Sequence, residues 1–334
     1  MKEHNIKLTA AEIGTLWSNY MQESSTIPML KYFSKKVEDS EIKPLIDKVL
    51  KISMEHLDKL ESFFKQENFP VPVGFSEKDV NLDAPRLFSD TFMLYFIRNM
   101  GKAGIAAHGM SFSFTAREDI RELFLKCLQE ATEIEDEAKN IMLSKGVFVR
   151  PPYLSSPQSV SFVEKESFLR GWFGERRTLT AEEISHIFMN YQNNIYGRAL
   201  LIGFSQIAQD KKVKEYFLRG IDLAGNILET LKLLFEESSL PSPMTWDTEV
   251  TDSTTYVFSD KLMLFNSTAL NAISLGNMGG SVALSMRRDL STKYLNKMAK
   301  IGLYAEDGLE LMINNRWFER PPQAIDRAHL VENN

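Results

Sequence analysis

Two histidines and four glutamates are the residues of this chain best suited to hold a metal ion: His56, His108, Glu133, Glu130, Glu137 and Glu23. Imidazole nitrogen with carboxylate oxygen suits iron, manganese or zinc without choosing among them. The case for them is comparative, because the chain is written out twice. Residues 8–152 return at 179–322. Where the first copy has His56, His108 and Glu133, the second has Ile227, Met278 and Leu303. Homologous helices bury homologous faces, so these positions are expected to point inward in both copies. Burying such groups without partners costs on the order of several kcal/mol, so they should meet one another, a water or a metal. Glu130 and Glu137 share the face of Glu133 and are alternatives to it, and Glu23 reaches in from the first helix. The competing reading is a buried hydrogen-bonded cluster, or edge positions that tolerate either residue type.

Other chemistry is thinly represented. A di-metal bundle needs Glu-x-x-His on two helices, and neither copy has that motif on its second or fourth helix. No serine or cysteine nucleophile constellation is visible. Cys127, alone in the chain, reads as a small core residue on an apolar stripe. Arg117 with Asp119, repeated as Arg287 with Asp289, reads as a carboxylate at a helix start beside an ion pair between helices. The glycines Gly101, Gly104, Gly109, Gly276, Gly279 and Gly280 follow no strand, so they mark close helix packing and not a phosphate loop. Tyr20 and Tyr191 suit a buried hydroxyl hydrogen bond, His186 has no evident partner, and His4 and His329 lie in the tails.

The elements that must position these groups are helical throughout. Thr9-Ala10-Ala11-Glu12 and Thr180-Ala181-Glu182-Glu183 are capping boxes, in which hydroxyl and carboxylate satisfy each other's backbone N–H groups. Ile13, Leu16, Trp17, Tyr20 and Ile27 then recur at helical spacing and predict a first helix over about residues 10–36. A turn at Asp39-Ser40 starts the second helix, with Pro44 in its first turn, where a missing N–H is tolerated. A connection of roughly twenty residues follows, rich in Pro, Gly, Asp and Asn. Ser89-Asp90 begins the third helix. Thr115-Ala116-Arg117-Glu118 looks like a further capping box for the fourth, and Gly146 is a left-handed stop. Short, long and short connections define two helical hairpins joined by a crossover, the ferritin-like form of the four-helix bundle.

Composition bounds the rest. With 334 residues, 43% hydrophobic and 25% charged, the chain has material for a core in each half. A net charge of −6 argues against nucleic acid and anionic membranes. A single cysteine excludes an internal disulfide and fits a reducing compartment. With no leader and no long apolar run, the expectation is a cytoplasmic protein without a membrane span.

The doubled Leu-Thr-Ala-x-Glu-Ile start, Phe88-Ser89-Asp90 with Phe258-Ser259-Asp260, and the Arg-Pro-Pro endings at 150–152 and 320–322 carry a resemblance. The chain resembles a tandem ferritin-like family of unknown function from spore-forming Firmicutes, distantly similar to ferritin-like spore coat proteins. The resemblance implies the fold and no reaction. The expected architecture is all-α, two tandem ferritin-like four-helix bundles at 1–152 and 179–334. Residues 153–178 form a linker that packs to cover Phe162, Phe168, Leu169, Trp172 and Phe173. The leading functional expectation is a non-enzymatic structural or interaction protein, spore- or stress-associated, with a protein partner not named by the sequence. The alternative is one Fe, Mn or Zn ion in the first bundle beside a degenerate second, and a third is an apolar ligand held between helices.

Overall fold

Glu12 shows how the predicted caps become a fold. In the computed structural model, which describes residues 6–172 and 176–327, its side chain is fully buried. Oε2 accepts from the Thr9 backbone N–H at 2.8 Å, completing the capping box of α1 (Ala10–Lys36). Oε1 accepts from the backbone N–H groups of Ala116 and Arg117, at 3.0 and 2.9 Å. One carboxylate therefore caps two helices. The expected box at Thr115–Glu118 does not form. Thr115 turns its hydroxyl back to the Phe112 carbonyl, and α4 (Glu118–Ser144) starts from Arg117 without a side-chain cap of its own. The second copy repeats the device: Glu183 caps α5 (Ala181–Ile207) and accepts from the Arg287 N–H at 3.0 Å, ahead of α8 (Arg288–Asn314).

The remaining helices are α2 (Lys43–Gln66), α3 (Asp90–Phe114), α6 (Lys211–Glu237) and α7 (Asp260–Leu284). Pro44 lies in the first turn of α2, and Gly146 takes φ +70° just past α4. Each repeat is a bundle of four helices, and among the described residues there is no strand and no helix long and apolar enough to cross a membrane. The connections at 37–42, 67–89 and 115–117, then 208–210, 238–259 and 285–287, run short, long, short in both copies.

The two long crossovers hold the repeats together by exchanging caps. Ser259, the N-cap of α7, donates its hydroxyl to Asp79 of the first crossover at 2.7 Å, and its backbone N–H to the Asp79 carbonyl at 2.9 Å. Ser89, the N-cap of α3, bonds Glu249 of the second crossover in the same two ways. The exchange is reciprocal. Phe88 and Phe258 follow their crossovers into a shared aromatic core, where Tyr32 meets Phe258 and Phe33 meets Phe88 edge-on at ring distances of 5.2 and 6.2 Å. Gly203 makes room for Phe88, since a Cβ there would lie 2.6 Å from its ring.

The linker departs from expectation. Phe168 is half-buried with the Arg177 guanidinium 4.1 Å from its ring centre, and Gly171 is buried against Asp289. Phe162 and Trp172, however, are 88% and 52% exposed, and Phe173 lies outside the described residues. Before its 3₁₀ turn at Glu166–Leu169 the segment has no helical face to lay onto the bundles, so it docks near its end and not along its length.

Candidate metal centre

His56 lies on the inward stripe of α2, nearly three turns before its end, and is 6% exposed. Each ring nitrogen meets a carboxylate on a neighbouring helix. Nδ1 is 2.9 Å from Glu23 Oε1 of α1, and Nε2 is 2.7 Å from Glu130 Oε2 of α4. Cys127, one turn before Glu130 on the same face of α4, brings its Sγ to 3.4 Å from Nε2. The ligand atoms of His56, Cys127 and Glu130 all fall within 4.8 Å of one another. A tetrahedral ion with bonds of about 2.0–2.3 Å needs donors about 3.3–3.8 Å apart, so small side-chain movements bring the three into register.

The electrostatics of the metal-free cluster are those of a bridged imidazolium. Burial works against charge on His56, but hydrogen bonds to Cys127 and Glu23 outweigh it and push its pKa up to about 11. Glu130 is braced from outside by Lys126, 3.4 Å from its other oxygen. His108 on α3 stands apart. Its ring centre is 6.3 Å from that of His56, its Nδ1 is buried without a hydrogen-bond partner, and burial holds its pKa below the usual value, so it is neutral.

The glutamates sort cleanly by helix face. Glu23 and Glu130 reach His56. Glu137 instead pairs with Lys48 at 2.7 Å, and Glu133 is exposed beside it on the outer face of α4. Its counterpart Leu303 is 66% exposed, so an apolar residue in one copy did not mark an inward position there. Cys127 is the member that sequence reasoning missed. Its counterpart is Lys297, those of Glu130 and Glu23 are Lys300 and Asn194, and a search for apolar replacements passes over all three. The one-turn spacing of Cys127 and Glu130 was the available signal.

The other sequence candidates are structural. Arg117 bonds Asp119 at 2.6 Å and Glu67 at the end of α2, while Arg287, 1% exposed, bonds Asp289 at 2.8 Å and Glu237 of α6 at 3.5 Å. Gly101 and Gly104 let α3 close on α4, where added Cβ atoms would lie 2.9 Å from the Glu135 backbone N and from Ala131 Cβ. His186 does have a partner, with its Nδ1 3.2 Å from the Ser281 hydroxyl. His4 and His329 lie outside the described residues.

The centre opens onto a cavity of about 430 Å³. His56, Cys127 and Glu130 form one end, and Tyr196 of α5 with Phe265 and Leu270 of α7 contribute from the second repeat. A three-donor site with one side facing a cavity leaves room for a further ligand on a bound ion.

A family model described as "Protein of unknown function (DUF3231)" matches residues 1–160 and again 167–330. No curated protein matches the sequence. Among solved structures, a crystal structure from Bacillus halodurans C-125, described as that of "a putative spore coat protein", is similar at 18% identity with a TM-score of 0.41. The match covers 46% of this chain and 98% of that one.

Proposed function

The chain belongs, in both of its halves, to the DUF3231 family of proteins of unknown function, and on that premise we propose that it is a metal-binding protein with a single centre, in the first repeat. The ligands in this reading are His56 Nε2, Cys127 Sγ and a Glu130 oxygen. The observation that carries it is their convergence from two helices within 4.8 Å, at the end of a cavity. Glu23 adds support: metal-binding imidazoles usually hand their other N–H to a carboxylate, which fixes the ring and raises its basicity, and Glu23 is 2.9 Å from Nδ1. A cysteine among the donors favours zinc or ferrous iron over manganese. Bound there, the ion would supply Lewis acidity at its open position. The chain's own groups orient His56 through Glu23 and hold Glu130 through Lys126.

The second reading is the structural or interaction role. What favours it is that the His56 cluster already satisfies its own hydrogen bonds and that the second repeat has Ile227, Lys297 and Lys300 in place of the three ligands. The loop pattern supports calling both bundles ferritin-like, while a spore or stress association rests on the sequence resemblance alone.

Metal analysis of protein purified without an affinity tag separates the two readings. About one equivalent of metal, lost in His56→Ala and kept in Glu133→Ala, is the expected outcome for a mononuclear site. Absence of metal as purified, with no saturable uptake of added Zn²⁺ or Fe²⁺, would overturn the metal reading and leave the structural one.

A further inference from the structure

The internal repeat allows each cavity to be compared with its own counterpart. In the second repeat the equivalent space measures about 50 Å³, against about 430 Å³ in the first. Helix spacing and side chains both do the filling, since α5 lies closer along α7 than α1 does along α3. Where the first repeat lines its cavity with Gly104, Ala131 and Ile134, the second has Ser274, Ile301 and Tyr304. Tyr304 stacks flat on Tyr216 at 4.2 Å, so that ring is part of a packed core. The second copy of the fold is closed at this place, and the first is not. The first repeat thus keeps a concave apolar surface that reaches solvent at Ser18, Ala107 and Ala272, the form of a ligand pocket.

The walls specify an occupant. They are mostly apolar, and the charge-bearing types among them are Glu23, Glu130, His56 and His108, without lysine or arginine. His108 has a buried Nδ1 with no partner, and His56 is already bonded to both carboxylates. A carboxylate or phosphate head would thus be buried without a free cation beside a carboxylate pair. Asn99, Asn266 and Gln22 offer neutral hydrogen bonds instead. The volume falls in the range of sites for small organic molecules.

We propose that the first repeat binds an uncharged, predominantly apolar small molecule in this cavity, and that α5 and α7 of the second repeat form its far wall. The proposal goes beyond the metal reading and concerns the cavity without an added ion, so its test is run on chelator-treated chain and can fail without touching that reading.

The test uses the full-length chain and two probes that share a ring framework. N-phenyl-1-naphthylamine is uncharged, and 8-anilinonaphthalene-1-sulfonate carries a sulfonate. The first should bind saturably at one site with a fluorescence increase, and the second about tenfold or more weakly, because its charge would be buried unpaired. Ala269→Phe and Ala272→Phe, both lining the cavity from α7, should each weaken the uncharged probe about tenfold by narrowing it, with thermal melts used to verify folding. Both should leave metal uptake unchanged, which separates loss of the probe from loss of the ion. Non-saturable binding, equal binding of the sulfonate, or indifference of the uncharged probe to both phenylalanine variants would overturn the proposal.

Discussion

His56 Nε2 and Glu130 Oε2 stand 2.7 Å apart on facing helices, and the positions they hold are taken in the second repeat by Ile227 and Lys300. Two bundles built on one plan have thus been given different interiors. One keeps a charged, hydrogen-bonded cluster beside an open cavity, and the other keeps a packed core.

The second carboxylate on His56 is predicted to act through orientation. Glu23→Gln should weaken Zn²⁺ or Fe²⁺ binding about 10- to 100-fold, as loss of a supporting carboxylate does elsewhere. Glu137→Gln, on the outer face of α4, should leave it unchanged. Competition with a chromophoric chelator measures both. Equal effects would assign Glu23 no special role.

Removing His56 alone strands two carboxylates that it now bridges. His56→Ile should therefore lower the stability of the metal-free chain by about 1–3 kcal/mol. The triple change Glu23→Asn, His56→Ile, Glu130→Lys installs the second repeat's residues and should recover most of that loss. Urea melts of the single and triple variants report the coupling, and simple additivity would contradict it.

Acid sensitivity is predicted at the shared caps. Burial raises the Glu12 and Glu183 carboxyls, but hydrogen bonds from backbone N–H groups, joined at Glu183 by Arg177, outweigh it and hold both below the ordinary 4.5, Glu183 at about 2. A carboxyl with a depressed folded pKa contributes fully above its unfolded pKa and loses that contribution as the pH falls through the folded one. Melting temperature should accordingly drop between pH 4.5 and 2, and Glu12→Gln with Glu183→Gln should flatten that slope. An unchanged slope would mean other carboxylates govern acid unfolding.

The exchanged caps are predicted to be worth as much as ordinary ones. Ser89→Ala and Ser259→Ala should each cost about 1 kcal/mol, the typical value for losing an N-cap side chain. Each also removes a bond to the other repeat, through Glu249 or Asp79. Calorimetry should show a single transition that shifts as a whole, because one core runs through the junction.

Local signals carried most of the fold. Thr9 with Glu12, Pro44 and Gly146 mark helix ends by interactions within a few residues, and those ends lie where they were expected. Thr115–Glu118 misled because the true acceptor for those N–H groups is Glu12, more than a hundred residues away. The site was half legible for the same kind of reason. His56 and Glu23 stood out or were within reach, but Glu133 and Glu130 differ by less than one turn of α4, and that rotation decides between solvent and core. The exchange between crossovers left no trace in either copy read alone, since it exists only where the copies meet.

That exchange has a further consequence, for how the molecule holds together when cut. Asp79 grips the start of α7 and Glu249 the start of α3, so attachment between the halves does not pass through the covalent tether at 153–178. Phe162 and its exposed surroundings offer a protease a free approach. A chain nicked there should elute from a sizing column as one particle, and the halves expressed as separate polypeptides should find each other. Symmetric reciprocal gripping of this kind is also what a pair of identical subunits would use. Gene fusion would then have released one subunit from the need to match the other, allowing one interior to remain open while its twin filled in.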